Sequence, residues 1–216
     1  PQFRLLVESF LALGVIFASL AIPLGLDAKW TSAAWAAEGA GIFWVGLRQD
    51  RPAARAFALM LEIGSAVSLL TSLRSASEPN FLGMVPVFDG SFLGPLCVGA
   101  AALSSAELIR RHGARATAVE AGLEPLARIV GLVFANLAFP MFLDHARSGL
   151  ALVLSGALTT WIAVGRGNPP AILTGMLFQF FGGVTFLQFV SSRSETPLLN
   201  LPWLGGMLVA AGGMAS

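Results

Sequence analysis

The chain is written in long apolar runs broken by short polar clusters. It shows neither the strict alternation of a half-buried strand nor the single polar face of a helix on a soluble protein. Eight runs approach the roughly 20 residues with which an α-helix crosses a hydrocarbon core about 30 Å thick. They cover 5–26, 30–47, 56–73, 92–109, 126–143, 149–165, 171–190 and 201–216. In lipid every backbone N–H and C=O has to be satisfied internally, which makes the helix the element for runs of this length. The pattern predicts an all-α fold, a polytopic transmembrane helix bundle of about eight spans with the lipid bilayer as its solvent. The first run is too long for a signal-peptide core, and no small-residue cleavage pattern follows it before Lys29 and Trp30. The chain opens on Pro1 and stops inside the eighth run. A segment of a longer polytopic protein is the expectation, with the remaining membrane helices of that parent as partners.

The runs are related to one another. Slid against itself by 117 positions, the chain lays ALGVIFASLAIPLGLD (12–27) over IVGLVFANLAFPMFLD (129–144) without a gap. Gly14/Gly131, Phe17/Phe134, Ala18/Ala135, Pro23/Pro140 and Asp27/Asp144 coincide, and the register continues through Gly39/Gly156, Trp44/Trp161 and Pro52/Pro169. Fixed-offset similarity of this kind is the signature of an internal repeat. The unit holds four helices, and an even number makes both copies enter from the same side. Two tandem parallel repeats are predicted, the first over 1–116 and the second, truncated, over 117–216. Gly14 with Ala18, and Gly131 with Ala135, are four apart on one helix face and read as seams where a neighbouring backbone approaches.

Composition and charge narrow the partners. Apolar residues make up 56% and charged residues 12%, where a soluble domain carries roughly a quarter charged. A net charge of +1 offers no basic surface for nucleic acid. Cys97 is the single cysteine, which excludes an internal disulfide, and no His/Cys set has metal-ligand spacing, so neither a metal nor another cofactor is expected. Alternate connections collect nine basic residues on one side (Arg4, Arg48, Arg51, Arg55, Arg110, Arg111, Arg115, Arg128, Arg166) and four on the other (Lys29, Arg74, Arg147, Arg193). The positive-inside rule then places the N-terminus of the segment in the cytoplasm. Trp30, Trp44 and Trp203 fit interfacial belts.

The stretch AIPLGLDAKWTSAAWAAEGAGIFWVGLRQDR (21–51) carries a resemblance. Its helix end from Pro23 to Asp27, Trp30-Thr31, Trp35, Glu38-Gly39, and Trp44 followed by Gly46-Leu47-Arg48 resemble a bacterial family of multi-spanning membrane proteins, the domain of unknown function numbered 2339. The resemblance implies long arrays of helices in the bacterial inner membrane. It brings no catalytic residue, cofactor or substrate.

Chemistry is sought among ionisable groups within the spans, where a charge near the bilayer centre costs at least about 2.5 kcal/mol. Glu38, Glu62, Glu107 and Glu8 qualify. Glu38 lies ten residues before Arg48, roughly 15 Å from the helix end and therefore near the midplane. Arg128 is the expected ion-pair partner for one of the four. Glu38 aligns with Ser155 and Glu62 with Gln179, so polarity recurs in the second copy while charge does not. That pattern reads as a hydrogen-bonding requirement for helix contact, with the carboxylate particular to the first copy. Asp27 and Asp144 are repeat-equivalent residues of the outer face, read first as caps or turn residues. His145 reads as an interfacial histidine and His112 as part of a basic loop near lipid headgroups. No phosphate loop, nucleophile elbow or zinc-protease pair occurs, which weighs against an enzyme. Three readings follow in order. The first is a transporter or channel-like protein with a polar cavity near Glu38 and Glu62 and an unidentified small-molecule or ion substrate. The second is a non-catalytic membrane scaffold, and the third an enzyme acting on envelope lipid or glycan.

Overall fold

The computed structural model describes residues 2–26, 28–75, 90–143 and 145–191. Among them the chain is wholly helical: α1 (Gln2–Gly25), α2 (Ala28–Arg48), α3 (Pro52–Ser75), α4 (Gly90–Arg111), α5 (Ala118–Phe142), α6 (His145–Gly165) and α7 (Pro169–Ser191). Each follows one of the first seven predicted runs. The eighth run, 201–216, lies outside the described residues, as do Trp203 and most of the loop predicted over 74–91. Five of the seven helices are long and apolar enough to cross a membrane: Pro52–Leu73, Phe92–Arg111, Ala118–Met141, Arg147–Gly165 and Pro169–Gln188. The expectation of about eight spans is thus met in five described helices. Helix α1 has a shorter apolar stretch, Ser9–Ile22, and α2 is diluted by Lys29, Glu38 and three tryptophans.

Helix ends follow local chemistry. After α2, Asp50 takes φ 52°, the left-handed conformation that Asp tolerates better than most residues. The N–H of Arg51 then donates to the Gly46 carbonyl at 2.9 Å, the six-to-one bond of a Schellman turn. Pro52 opens α3 at a first-turn position where its missing N–H costs nothing. The turn recurs 117 residues later. Gly167 has φ 59°, the Asn168 N–H donates to the Ala163 carbonyl at 3.0 Å, and Pro169 opens α7. Helix α5 starts eight residues before its apolar run. Thr117 caps it by accepting the Glu120 N–H, while the Glu120 side chain accepts the Thr117 N–H, a complete capping box.

In lipid the apolar surface of one helix gains nothing by leaving the tails for another helix, so association depends on close packing and interhelical hydrogen bonds. Glycines supply the close packing. A Cβ on Gly99 of α4 would lie 2.5 Å from the Ala135 nitrogen of α5, and one on Gly131 would lie 2.9 Å from the Leu103 nitrogen. Between α6 and α7, Gly156 faces the Gly175 carbonyl at 2.6 Å and Gly182 faces the Gly149 carbonyl at 2.7 Å from their ideal Cβ positions. The Gly131/Ala135 seam is therefore occupied by α4. Its aligned counterpart is not, since Gly14 meets nothing within 4 Å. Around these seams Ala36, Leu69, Val98, Ala101 and Phe134 form one buried cluster across α2 to α5, and Phe43, Leu47, Ala58 and Ile109 form another. The outward face of α3 carries Met60, Ile63, Val67 and Leu70, all exposed at three- and four-residue spacing, as a lipid-facing stripe requires.

The seams generate a paired prediction. Gly99→Leu drives a side chain into the α5 backbone and lowers unfolding stability in detergent by about 1–3 kcal/mol or more. Gly14→Leu enters open space and stays within about 0.5 kcal/mol of wild type. Parallel thermal or denaturant titrations of the two purified variants check the contrast.

Candidate functional site

Glu38 sits in the middle of α2, facing α1. Its Oε1 accepts a hydrogen bond from the Ser19 hydroxyl, and the Trp35 indole N–H donates to the Ser19 carbonyl at 2.8 Å. Ser19 itself is buried. Its hydroxyl has a single proton and two acceptors in reach, the second being the Val15 carbonyl at 2.9 Å. The other carboxyl oxygen of Glu38, Oε2, is buried and has no hydrogen-bond partner among the described residues. Glu38 also lines a cavity of about 820 Å³ between α1, α2 and the start of α3. Its walls are mostly apolar, including Val15, Ile42 and Phe57, and Gln49 and Arg51 line it where α2 turns into α3. Among the described residues of this wall, Glu38 is the one acidic side chain.

Glu62 is placed differently. It is not among the residues lining that cavity. Its Oε1 accepts the Ser105 hydroxyl of α4 at 2.6 Å, and its Cγ packs over Gly39, 2.9 Å from where a Cβ would stand there. The expectation that Glu38 and Glu62 share one polar cavity is therefore corrected. They are neighbours across the α2–α3 contact, but the second is engaged by α4 because Gly39 leaves room for its stem and Ser105 presents a donor.

The polar contacts recur at positions 117 apart. Ser19–Glu38 between α1 and α2 becomes Asn136–Ser155 between α5 and α6, with Ser155 now donating to the Asn136 side chain. Gly39 against Glu62 becomes Gly156 against Gln179, again with a Cγ 2.9 Å from the ideal Cβ. Gln179 donates to Thr160 at 3.2 Å, where Glu62 accepts from α4. Side-chain polarity is kept at these positions and the carboxylates are not.

The expected partner of Arg128 is corrected as well. Arg128 donates through Nε and Nη2 to Glu124, one turn earlier on its own helix. Glu107 is bound by Arg110 at 2.6 Å and Arg111 at 2.6 Å on α4, a helix-end cluster with half-exposed partners that reads as surface solvation. The Glu8 side chain, and Asp27 and Asp144, lie outside the described residues. Among the described residues no group of three or more His, Cys, Asp or Glu side chains is placed to hold a metal.

Sequence reasoning treated Arg55 only as a topogenic charge, whereas its side chain is 2% exposed. Nε donates to Glu120 at 2.8 Å, Nη1 to Asp50 at 3.4 Å and Nη2 to the Arg115 carbonyl at 3.2 Å. Glu120 divides its oxygens, one accepting Arg55 and the other the Thr117 N–H at 2.7 Å. One carboxylate thus caps α5 and fastens it to α3. The signal was present in the sequence as T-A-V-E at 117–120, a capping box ahead of an apolar run. Arg55→Met leaves Glu120 buried without its cation and destabilises the protein by about 3 kcal/mol, the lower end for a broken buried pair because this one lies at helix ends. Arg55→Met/Glu120→Gln recovers part of that loss, and a double-mutant cycle on unfolding free energy measures it.

Residues 1–89 match the model of a family described as a predicted membrane protein, DUF2339. The resemblance carried by residues 21–51 holds. No curated protein and no solved structure matches the chain.

Proposed function

Taking the chain as a membrane protein whose residues 1–89 match the DUF2339 family, we propose that it is a transporter or channel-like protein in which Glu38 is the acidic site of a membrane-embedded cleft. The observation that carries this reading is Glu38 itself, which lines a cavity of about 820 Å³ and keeps one carboxyl oxygen buried with no donor among the described residues. Cavities of about 300–1,000 Å³ with apolar walls and few polar groups are the usual dimensions of a binding site. A carboxylate buried between membrane helices is costly unless it serves a pathway or is satisfied locally, and among the described residues this one is satisfied at a single oxygen.

Proton counting supports a proton as one traffic. With Glu38 ionised, the Ser19 hydroxyl must choose between Glu38 and the Val15 carbonyl. With Glu38 protonated, the carboxyl donates to Ser19 and Ser19 donates to Val15, so both acceptors are served. Glu62 has the structural role in this scheme, its contact with Ser105 being a helix tie. Two parallel four-helix repeats, 1–116 and 117–216, are part of the proposal, supported by the turns and polar contacts that recur 117 residues apart. The end bearing Arg51, Arg55 and Arg115 faces the cytoplasm of a bacterial inner membrane, by the positive-inside bias.

A second reading, a non-catalytic scaffold, is favoured by Asn136–Ser155 and Gln179–Thr160, which make helix ties without any carboxylate. Proton flux into liposomes under an imposed pH gradient separates the two. Wild type and Glu62→Gln are expected to conduct, and Glu38→Gln, whose amide oxygen still accepts Ser19, is expected to lose the flux while keeping its helical content. An inert wild type would sink proton transport and leave the scaffold.

A further inference from the structure

A second pocket, of about 180 Å³, lies away from Glu38 where α4, α5 and the α6–α7 turn meet. Two cations line it, Arg128 from α5 and Arg166 immediately after α6, together with Thr159 and Asn168. Arg128 is largely buried, its side chain 11% exposed. Both of its bonds to Glu124 leave from the Nε–Nη2 edge and reach one oxygen, so its Nη1 donors make no hydrogen bond to the described residues. No side-chain hydrogen bond or ion pair joins Arg166 to the described residues. A guanidinium carries five N–H donors and matches the oxygens of a phosphate better than any other side chain. Glu124 offsets one of the two charges, and the pocket remains net positive by about one unit.

The rest of the lining specifies how a phosphate would arrive. Leu103, Leu132 and Ile162 make the apolar wall. Ile162 is also outward-facing, in line with Leu158 and Leu154 four and eight residues earlier on α6, all three exposed. At 1.5 Å per residue this stripe runs about 12 Å from the pocket along the lipid-facing side of the helix. Helix α7 adds little through its N-terminus, because Pro169 and Pro170 have no N–H and the Ala171 N–H is taken by Asn168 at 3.3 Å. The attraction rests on the arginines.

We propose that this pocket binds a phosphate-bearing anion, presented as the headgroup of an anionic phospholipid whose acyl chain lies along Leu154, Leu158 and Ile162. Basic pockets between membrane helices are recognised headgroup sites, and here the cations and an exposed apolar stripe are contiguous. The site is separate from the Glu38 cleft and does not depend on the transport reading.

The test is lipid retention by the purified full-length protein, read by native mass spectrometry after titration with phosphatidylglycerol or phosphatidylcholine. Wild type is expected to prefer phosphatidylglycerol. Arg166→Gln, and the charge-neutral pair Arg128→Gln/Glu124→Gln, are each expected to weaken that preference at least about tenfold, the loss of one charge-assisted contact. Arg147→Gln, at the opposite end of α6 from the pocket, keeps it. Thermal protection by inorganic phosphate alone, lost in the same two variants, would support the anion site with a soluble phosphate as its source. Equal retention of both lipids by wild type without such protection, or a preference that survives in both variants, would overturn the proposal.

Discussion

Close backbone approach at glycine is the constraint on which this bundle depends. Lipid removes the main force that packs helices in water, and what remains is dispersion between surfaces that fit and hydrogen bonds that cross between them. The α4–α5 and α6–α7 seams bring backbone atoms to where a methyl group would stand. The polar ties Ser19–Glu38, Glu62–Ser105, Asn136–Ser155 and Gln179–Thr160 lie between helices that such contact, or the turns, already hold together. Each tie is worth about 1 kcal/mol in lipid. Their value lies in register, because a hydroxyl reaches an amide or carboxyl at one rotation of the helix and misses it at the next.

The two carboxylates of the first half show how similar residues diverge through their neighbours. Glu62 meets a hydroxyl on α4 and a glycine that makes room for its stem, and becomes part of the packing. Glu38 meets one hydroxyl on α1 and otherwise a cavity wall. At the aligned places in the second half, Ser155 bonds Asn136 and Gln179 packs on Gly156, both as neutral groups. A packing requirement alone is met without charge at both places, and what separates the two carboxylates is the cavity that Glu38 lines and Glu62 does not.

Much of the fold was legible in the sequence because apolar run length and the length of a spanning helix are nearly the same measurement. Seven runs found seven helices, and the offset of 117 picked out a helix turn, a side-chain tie and a glycine contact that occur at both places. The start of α5 was missed by eight residues because hydropathy does not register a helix that extends beyond its apolar part, although the capping box at Thr117 and Glu120 marked it. Partner choice was the least legible. Arg128 finds Glu124 on its own helix, a local pairing that i, i+4 spacing offers, whereas Arg55 finds Glu120 across 65 positions of chain. Such a partner is set by which turns come to lie side by side, and a linear sequence does not carry that information.

The bolt formed by Arg55, Asp50, Glu120 and the Arg115 carbonyl has a mechanical consequence. It joins the start of α3 to the start of α5 and, with the glycine seam between α4 and α5, makes α2 through α5 a stiff block. The Glu38 cleft has that block for one wall and α1 for the other. Stiffness on one side concentrates compliance on the other, so any change in the width of the cleft falls on α1 and on the contacts around Ser19. Ser19, whose hydroxyl ties α1 to Glu38, therefore stands where the compliant wall of the cleft meets the stiff one.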